Sequence, residues 1–183
     1  MDPQERRTRT TAQPEAVSRR RLLLVGFVGW VATLGVDLFL NAGVFAGVFF
    51  ESSPFLLPPG ELFLRIPLGY ASFLLLTGLL VWLMARLSIS GWRTGARFGV
   101  LVGAAIHGAG VLGMASVSTA SLSLLVAWFV GQTLQTGVVG AVVGRGFATD
   151  RLRRLALLVF VLDVVLITIT ITLQSLELVA TPP

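Results

Sequence analysis

Long runs of apolar residues alternate with short polar segments along most of the chain. Five of these runs reach about 20 residues, the length that a helix rising 1.5 Å per residue needs to cross a hydrocarbon core of roughly 30 Å. Arginine clusters, prolines or short polar turns separate the runs. The pattern predicts an all-α fold, a polytopic membrane helix bundle with five transmembrane helices at residues 22–45, 64–84, 97–116, 122–143 and 155–176.

The composition supports a lipid environment for these runs. Apolar residues make up 55% of the 183 positions and charged residues 13%, with a mean hydropathy of +0.86. A soluble domain carries about 25% charged residues, so much of this apolar surface needs a solvent other than water. We therefore expect the lipid bilayer itself to be the main partner of the chain.

The arginines predict the orientation of the bundle, because short cytoplasmic loops retain basic residues. Five spans place thirteen of the 14 arginines on one side: six in the N-terminal segment, three between the second and third spans, and four between the fourth and fifth. Arg65 is the exception. We expect a cytoplasmic N-terminus, an external C-terminus and a multi-pass location in the cell (plasma or inner) membrane. Four or six spans would leave one arginine cluster on the opposite side.

The polar ends of the chain predict three regions. Residues 1–18 form a disordered basic cytoplasmic tail, because they are polar and lack an apolar period. Residues 19–178 form the five-helix domain, and residues 179–183 a short external tail. Residues 44–50 stay apolar beyond one membrane crossing, so two alternatives are open: they continue the first helix, or they lie along the outer interface, as the prolines at positions 54, 58 and 59 favour.

Missing residue types exclude several chemistries. The chain has no lysine and no cysteine, which excludes Schiff-base cofactors, a Walker-type phosphate lysine, disulfide exchange and iron–sulfur ligation. Its one histidine, His107, is a weak basis for haem ligation. A metal site would need His107, Asp37 and Asp163 to converge, and nothing in their spacing demands it. We expect no cofactor and no metal.

The basic charge has a topological explanation. The arginines lie next to membrane edges and no aromatic-basic segment accompanies them, so we expect no nucleic-acid partner. The cluster Arg19–Arg21 is placed to attract anionic lipid headgroups. Arg65 follows Glu61 by four residues, which predicts an external ion pair at the start of the second helix, with an anion contact as the alternative.

Small residues at helical spacing predict where the helices touch, because membrane helices associate where their backbones can approach closely. Two faces of this kind occur. The third span carries Gly91, Gly95, Gly99, Gly103 and Gly110, and the fourth carries Gly137, Gly140 and Gly144. The first of these ridges passes through His107. Intramolecular packing and a homodimer interface are both compatible with such ridges. The second span supplies few polar groups, such as Tyr70 and Thr77, so it is expected to be the most lipid-exposed or to pack by its Leu-rich face.

Polar side chains within the spans are functional hypotheses by default, because an ionisable group at the bilayer centre costs about 2.5 to 3.5 kcal/mol on insertion scales. By helical rise, His107 and Asp163 lie near the midplane and Asp37 in the outer half. We expect one intramembrane seam composed of Asp37, Asn41, His107, Gln132, Gln135, Asp163 and Gln174. The seam is interpreted either as a hydrated path or as hydrogen bonds that fix the helix register.

These observations leave the activity open. The favoured hypothesis is a non-enzymatic membrane component that packs or assembles through its glycine-rich faces, as a homo-oligomer or with another membrane protein, and without catalytic residues. The alternative is a small transporter or proton-conducting protein that uses Asp37, His107 and Asp163. A membrane enzyme acting on lipid or quinone is the third hypothesis.

Overall fold

The structure is a computed structural model that describes residues 18–51, 55–57 and 59–180. Within these ranges it is all-helical, with six α-helices, and five of the helices are long and apolar enough to span a membrane. The predicted fold class is confirmed to that extent. Of the predicted tails, residues 1–17 and 181–183 lie outside the described residues.

The helices agree with the predicted spans and extend beyond several of them. The bounds are α1 Arg19–Phe39, a π-helix Leu40–Val44, α2 Ala46–Phe49, α3 Pro59–Arg86, α4 Trp92–Val117, α5 Leu122–Ala148 and α6 Leu152–Ser175. Serine hydroxyls start two of the helices. Ser18 accepts a hydrogen bond from the Arg21 amide and Ser121 one from the Leu124 amide, each at 3.3 Å.

Residues 44–50 do not continue the first helix. The π-helix ends at Val44, and Phe45 (φ −104°, ψ 15°) breaks the helical backbone before the short α2. Ala46 is buried, and the Phe45 ring reaches within 3.6 Å of the position that a Cβ on Gly131 of α5 would take. The segment therefore packs against the bundle as a separate element, and its position along the outer interface stays a prediction.

Helix α5 lies at the centre of the bundle and packs against α4, α1, α3 and α6. Its apolar window is 56% buried, compared with 33% for α1, 22% for α3 and α6, and 6% for α4. By this measure α4 is less buried than α3, so the structure does not single out the second span, and its being the most lipid-exposed stays a prediction. Glycines explain the difference: α4 contacts α5 along a narrow stripe without side chains, so most of its surface stays outside the interface.

Two apolar clusters fill the spaces around α1 and α5. One joins α1, α3 and α5 near the arginine-rich end, through Val25, Leu80, Met84, Val139 and Val143. The other joins α1, α5 and α6 through Ala32, Val142, Leu155 and Val159. The polar side chains discussed below lie between and beyond these clusters.

Candidate functional sites in the helix bundle

The glycines of α4 and α5 bring two helix backbones into direct contact. A Cβ on Gly95 would overlap the Gly140 carbonyl oxygen, and a Cβ on Gly99 would overlap the Thr136 carbonyl oxygen. From the other helix, a Cβ on Gly144 would lie 3.1 Å from the Gly95 Cα. Only glycine permits this approach, since real Cβ contacts are longer. The two predicted ridges therefore pack against each other within one chain.

Hydrogen bonding marks one end of this interface, and open space marks the other. At the arginine-rich end the Gly91 amide donates to the Gly144 carbonyl oxygen at 2.8 Å, and Gly91 has φ 89°, a conformation that favours glycine. Gly103 still faces Thr136, because a Cβ there would lie 2.9 Å from the Thr136 Cβ. Gly110, predicted to continue the ridge, has nothing within 4 Å of its Cβ position.

His107 lies on the face of α4 that contacts α5. Its Nε2 is 3.3 Å from the Thr136 hydroxyl oxygen, and that hydroxyl donates to the Gln132 carbonyl oxygen at 2.7 Å. Because the hydroxyl has one proton, which it gives to Gln132, the pair forms when His107 carries its proton on Nε2 and donates. His107 also lines an open cavity of about 280 Å³ beside Gly110 and Trp128.

Gln135 joins α5 to α1. Its Nε2 donates to the Thr33 carbonyl oxygen at 3.3 Å, while its Oε1 is buried without a hydrogen-bond partner among the described residues. Gln132 and Gln135 both line a small central cavity of about 10 Å³, with three threonines around it. That volume corresponds to about one water molecule. The cavity is thus large enough for a single water molecule and does not form a continuous hydrated path.

Asp163 of α6 packs against the backbone of α1 at Gly35. A Cβ on Gly35 would lie 2.7 Å from the Asp163 Cα and 2.8 Å from its Cγ. Asp163 is 7% exposed, and its Oδ1 has no hydrogen-bond partner in the part of the chain that the structure describes. Nearer the other end of α6, Gln174 Nε2 donates to the Ala42 carbonyl oxygen in the π-helix at 3.1 Å. Asp163 thus marks the α1–α6 interface, and Gln174 marks the contact of α6 with the π-helix.

Asp37 lies on another side of α1. It accepts a hydrogen bond from Asn41 Nδ2 at 2.8 Å, within the same helical face. Asp37 is two residues beyond Gly35, which is about 200° around a helix of 3.6 residues per turn, so it points away from Asp163. Two turns earlier on the same face of α1, Trp30 Nε1 donates to the Tyr70 carbonyl oxygen of α3 at 3.0 Å.

The predicted seam is therefore distributed over several helix interfaces. His107 and Thr136 meet between α4 and α5, Gln135 between α5 and α1, and Asp163 and Gln174 between α6 and α1. Among the described residues, no group of three or more His, Cys, Asp or Glu side chains is placed to hold a metal ion. Each polar group makes a local contact, and the carboxylates and His107 do not converge.

The charged residues outside the spans form a structural contact that the sequence did not indicate. Arg21 Nη2 donates to three carbonyl oxygens at the end of α5, those of Gly146 (3.1 Å), Phe147 (3.3 Å) and Thr149 (2.6 Å). Its Nη1 lies 3.5 Å from Asp150 Oδ1. A cation at a helix C-terminus neutralises unpaired carbonyl groups and the helix dipole. Arg21 thereby holds the start of α1 against the end of α5.

Glu61 and Arg65 are both exposed on α3, one helical turn apart. Within residues 18–51, 55–57 and 59–180, the ion pair shorter than 4 Å is that of Arg21 with Asp150. The structure therefore does not join Glu61 to Arg65.

Comparison of the chain with family models, with curated proteins and with solved structures finds no match. The functional argument therefore depends on the geometry above.

Proposed function

We propose that the chain is a non-enzymatic, multi-pass component of the cell membrane, with a cytoplasmic N-terminus and an external C-terminus. One observation carries the proposal: His107, Gln135 and Gln174 each make a single hydrogen bond to a neighbouring helix, and the central cavity has room for about one water molecule. That arrangement is typical of polar contacts that fix helix register.

The distribution of charge supports the proposed orientation. Arg21 contacts the end of α5, and Gly91, after α3, contacts Gly144, so the arginine-bearing ends of these helices lie together. Arg65 lies towards the opposite end, at the start of α3. Under the positive-inside rule, the arginine-rich end is cytoplasmic.

We propose that assembly with a second copy or another membrane protein uses the open small-residue face of α4. The ridge from Gly91 to Gly103 is filled by α5, whereas Gly110 and Gly113 have nothing within 4 Å of their Cβ positions. Helices associate in lipid where small residues permit close approach. This face continues into the 280 Å³ cavity beside Trp128.

The test is the oligomeric state of the purified full chain in mild detergent, measured by light scattering and by cross-linking in native membranes. We expect Gly110→Leu to weaken assembly, with Gly69→Leu as the control, because Gly69 of α3 is equally open. A chain that stays monomeric in both measurements, or a Gly110→Leu variant that assembles as the wild type does, contradicts the assembly proposal.

A second candidate function rests on Asp163. A buried carboxyl oxygen without a partner is expensive in a membrane and is often part of an ion or proton pathway. The proton-conducting alternative predicts that Asp163→Asn and His107→Ala abolish flux in liposomes loaded with a pH-sensitive dye. The non-conducting proposal predicts that wild type and both variants leak equally, with Glu177→Gln, at an exposed position, as the control.

A further inference from the structure

An apolar groove opens between α1 and α3. Its volume is about 810 Å³. One wall carries Leu23 and Phe27, which are 75% and 58% exposed, and the other carries Trp82, which is 56% exposed. Within the bundle these side chains have few neighbours, so the groove is built for an apolar occupant.

Two glycines keep the groove open. A Cβ on Gly78 of α3 would have nothing within 4 Å, and a Cβ on Gly26 of α1 would meet only the Val81 side chain, at 3.6 Å. Both glycines line the groove. Glycine is therefore not needed there for helix packing, in contrast to the α4–α5 interface, and its effect is to deepen the groove.

The α3 wall of the groove is about as long as one leaflet of a bilayer is thick, and α1 lines the groove only from Leu22 to Phe27. Along α3 it runs from Leu74 to Arg86, which is about 18 Å at 1.5 Å per residue. Half of a hydrocarbon core is roughly 15 Å. Its arginine-bearing end thus lies at a membrane surface and its apolar end near the midplane, which is the extent of one lipid acyl chain.

Two arginines lie at or near one end of the groove. Arg86 lines the groove and is exposed. Arg20 is also exposed and lies three, four and seven residues before Leu23, Leu24 and Phe27, so it shares their face of α1. Neither arginine has an ion pair among the described residues, whereas the neighbouring Arg21 is bound to the end of α5.

We propose that this groove binds one acyl chain of an anionic phospholipid from the leaflet at the arginine-rich end, with the lipid phosphate against Arg20 and Arg86. Arginine forms bidentate hydrogen bonds with phosphate, and two exposed arginines favour an anionic headgroup by about tenfold or more. The site goes beyond the proposed function, which needs no bound lipid.

Trp82 provides the test, because it lines the groove. A variant that keeps Trp82 and replaces the other three tryptophans with phenylalanine is reconstituted into phosphatidylcholine vesicles. These contain a small, equal fraction of either brominated phosphatidylglycerol or brominated phosphatidylcholine, with bromine near the middle of the acyl chain. We expect about tenfold stronger apparent binding of the quencher with the anionic lipid.

Matched variants separate the groove from general surface attraction. Gly78→Leu fills the groove and Arg20→Gln with Arg86→Gln removes its charge, so both are expected to abolish the preference. Gly69→Leu on the same helix and Arg153→Gln at the same membrane end are expected to retain it, since neither residue lines the groove. Native mass spectrometry of the wild-type chain, which keeps all its tryptophans, is expected to show one retained phosphatidylglycerol that Gly78→Leu loses.

Three results would overturn the proposal. Equal quenching by the two brominated lipids would show that the groove does not select charge. A preference that survives Gly78→Leu but not the arginine changes would show that only the surface binds lipid. Protection of Trp82 from both lipids would show that a second copy of the chain fills the groove.

Discussion

Replacing Gly99 with alanine adds a single methyl group and directly tests the backbone contact between α4 and α5. The added methyl group would overlap the Thr136 carbonyl oxygen and lie 3.1 Å from both the Thr136 carbonyl carbon and the Gly137 Cα. All three are backbone atoms, so no side-chain rotation relieves the overlap. The two helices have to separate along the ridge.

The expected change in unfolding free energy is the sum of two destabilising effects and one stabilising effect. Overpacking of this kind costs about 1 to 3 kcal/mol. Separation also weakens the Gly91–Gly144 and His107–Thr136 hydrogen bonds, each worth about 0.5 to 1.5 kcal/mol in general. Alanine stabilises the helix by up to about 1 kcal/mol relative to glycine, because its helix propensity is higher. The net loss is about 2 kcal/mol of unfolding free energy, or roughly a 30-fold change in the folding equilibrium.

Gly110→Ala is the matched control, because it lies on the same helix with nothing within 4 Å of its Cβ position. The assay is reversible unfolding in mixed micelles of dodecylmaltoside with increasing SDS, followed by tryptophan fluorescence. We expect Gly99→Ala to unfold at lower SDS, and Gly110→Ala to match or slightly exceed the wild type. Equal unfolding of the two variants would refute the contact between the backbones of α4 and α5.

Three further predictions use the same unfolding assay. Arg21→Gln is expected to lose about 1 to 2 kcal/mol by leaving the carbonyl groups at the end of α5 without a cation, while exposed Arg20→Gln changes little; equal effects would refute the cap. Gly35→Ala is expected to lose about 1 to 3 kcal/mol because its methyl group meets the Asp163 backbone, and a neutral result would contradict the α1–α6 contact. Gln135→Leu is expected to lose less than about 1 kcal/mol, since it removes one interhelical hydrogen bond and an unpaired Oε1, and a loss of several kcal/mol would point to a larger polar network.

Apolar run length and glycine spacing were sufficient to predict the helices and one interface. A 20-residue apolar run has few stable alternatives to a helix in lipid, so the five long helices follow directly from the sequence. The i+4 spacing from Gly91 to Gly103 indicated a contact face because small residues permit close approach of two helices in lipid. It did not indicate which helix is the partner.

The arrangement of polar groups could not be predicted in the same way. Residues on one helical face were identified correctly as neighbours, as with Asp37 and Asn41, but the face of each helix that meets a given neighbour depends on the whole packing. Asp163 therefore meets Gly35 and not Asp37 or His107. One usable signal was missed: Ala32 and Gly35 are small residues three positions apart on α1, and both are buried.

The positions of Arg21 at the end of α5 and of Arg86 at the end of the groove could not be predicted from the sequence either. Both were counted with the arginines that orient the bundle, and nothing in their spacing distinguishes them from Arg20 or Arg93. Their difference arises from tertiary structure, because the end of α5 reaches Arg21 and the groove between α1 and α3 ends at Arg86.

The central claim is that the chain crosses the membrane five times, and labelling of single cysteines tests it most directly because the chain has no cysteine of its own. Exposed positions are available on the turn before α4 (Ser90→Cys), the turn before α5 (Thr119→Cys) and the end of α6 (Ser175→Cys). With a membrane-impermeant maleimide on intact cells, we predict labelling at positions 119 and 175 and protection at position 90, with the reverse in inside-out vesicles. Labelling of positions 90 and 119 from the same side would contradict the five-span account.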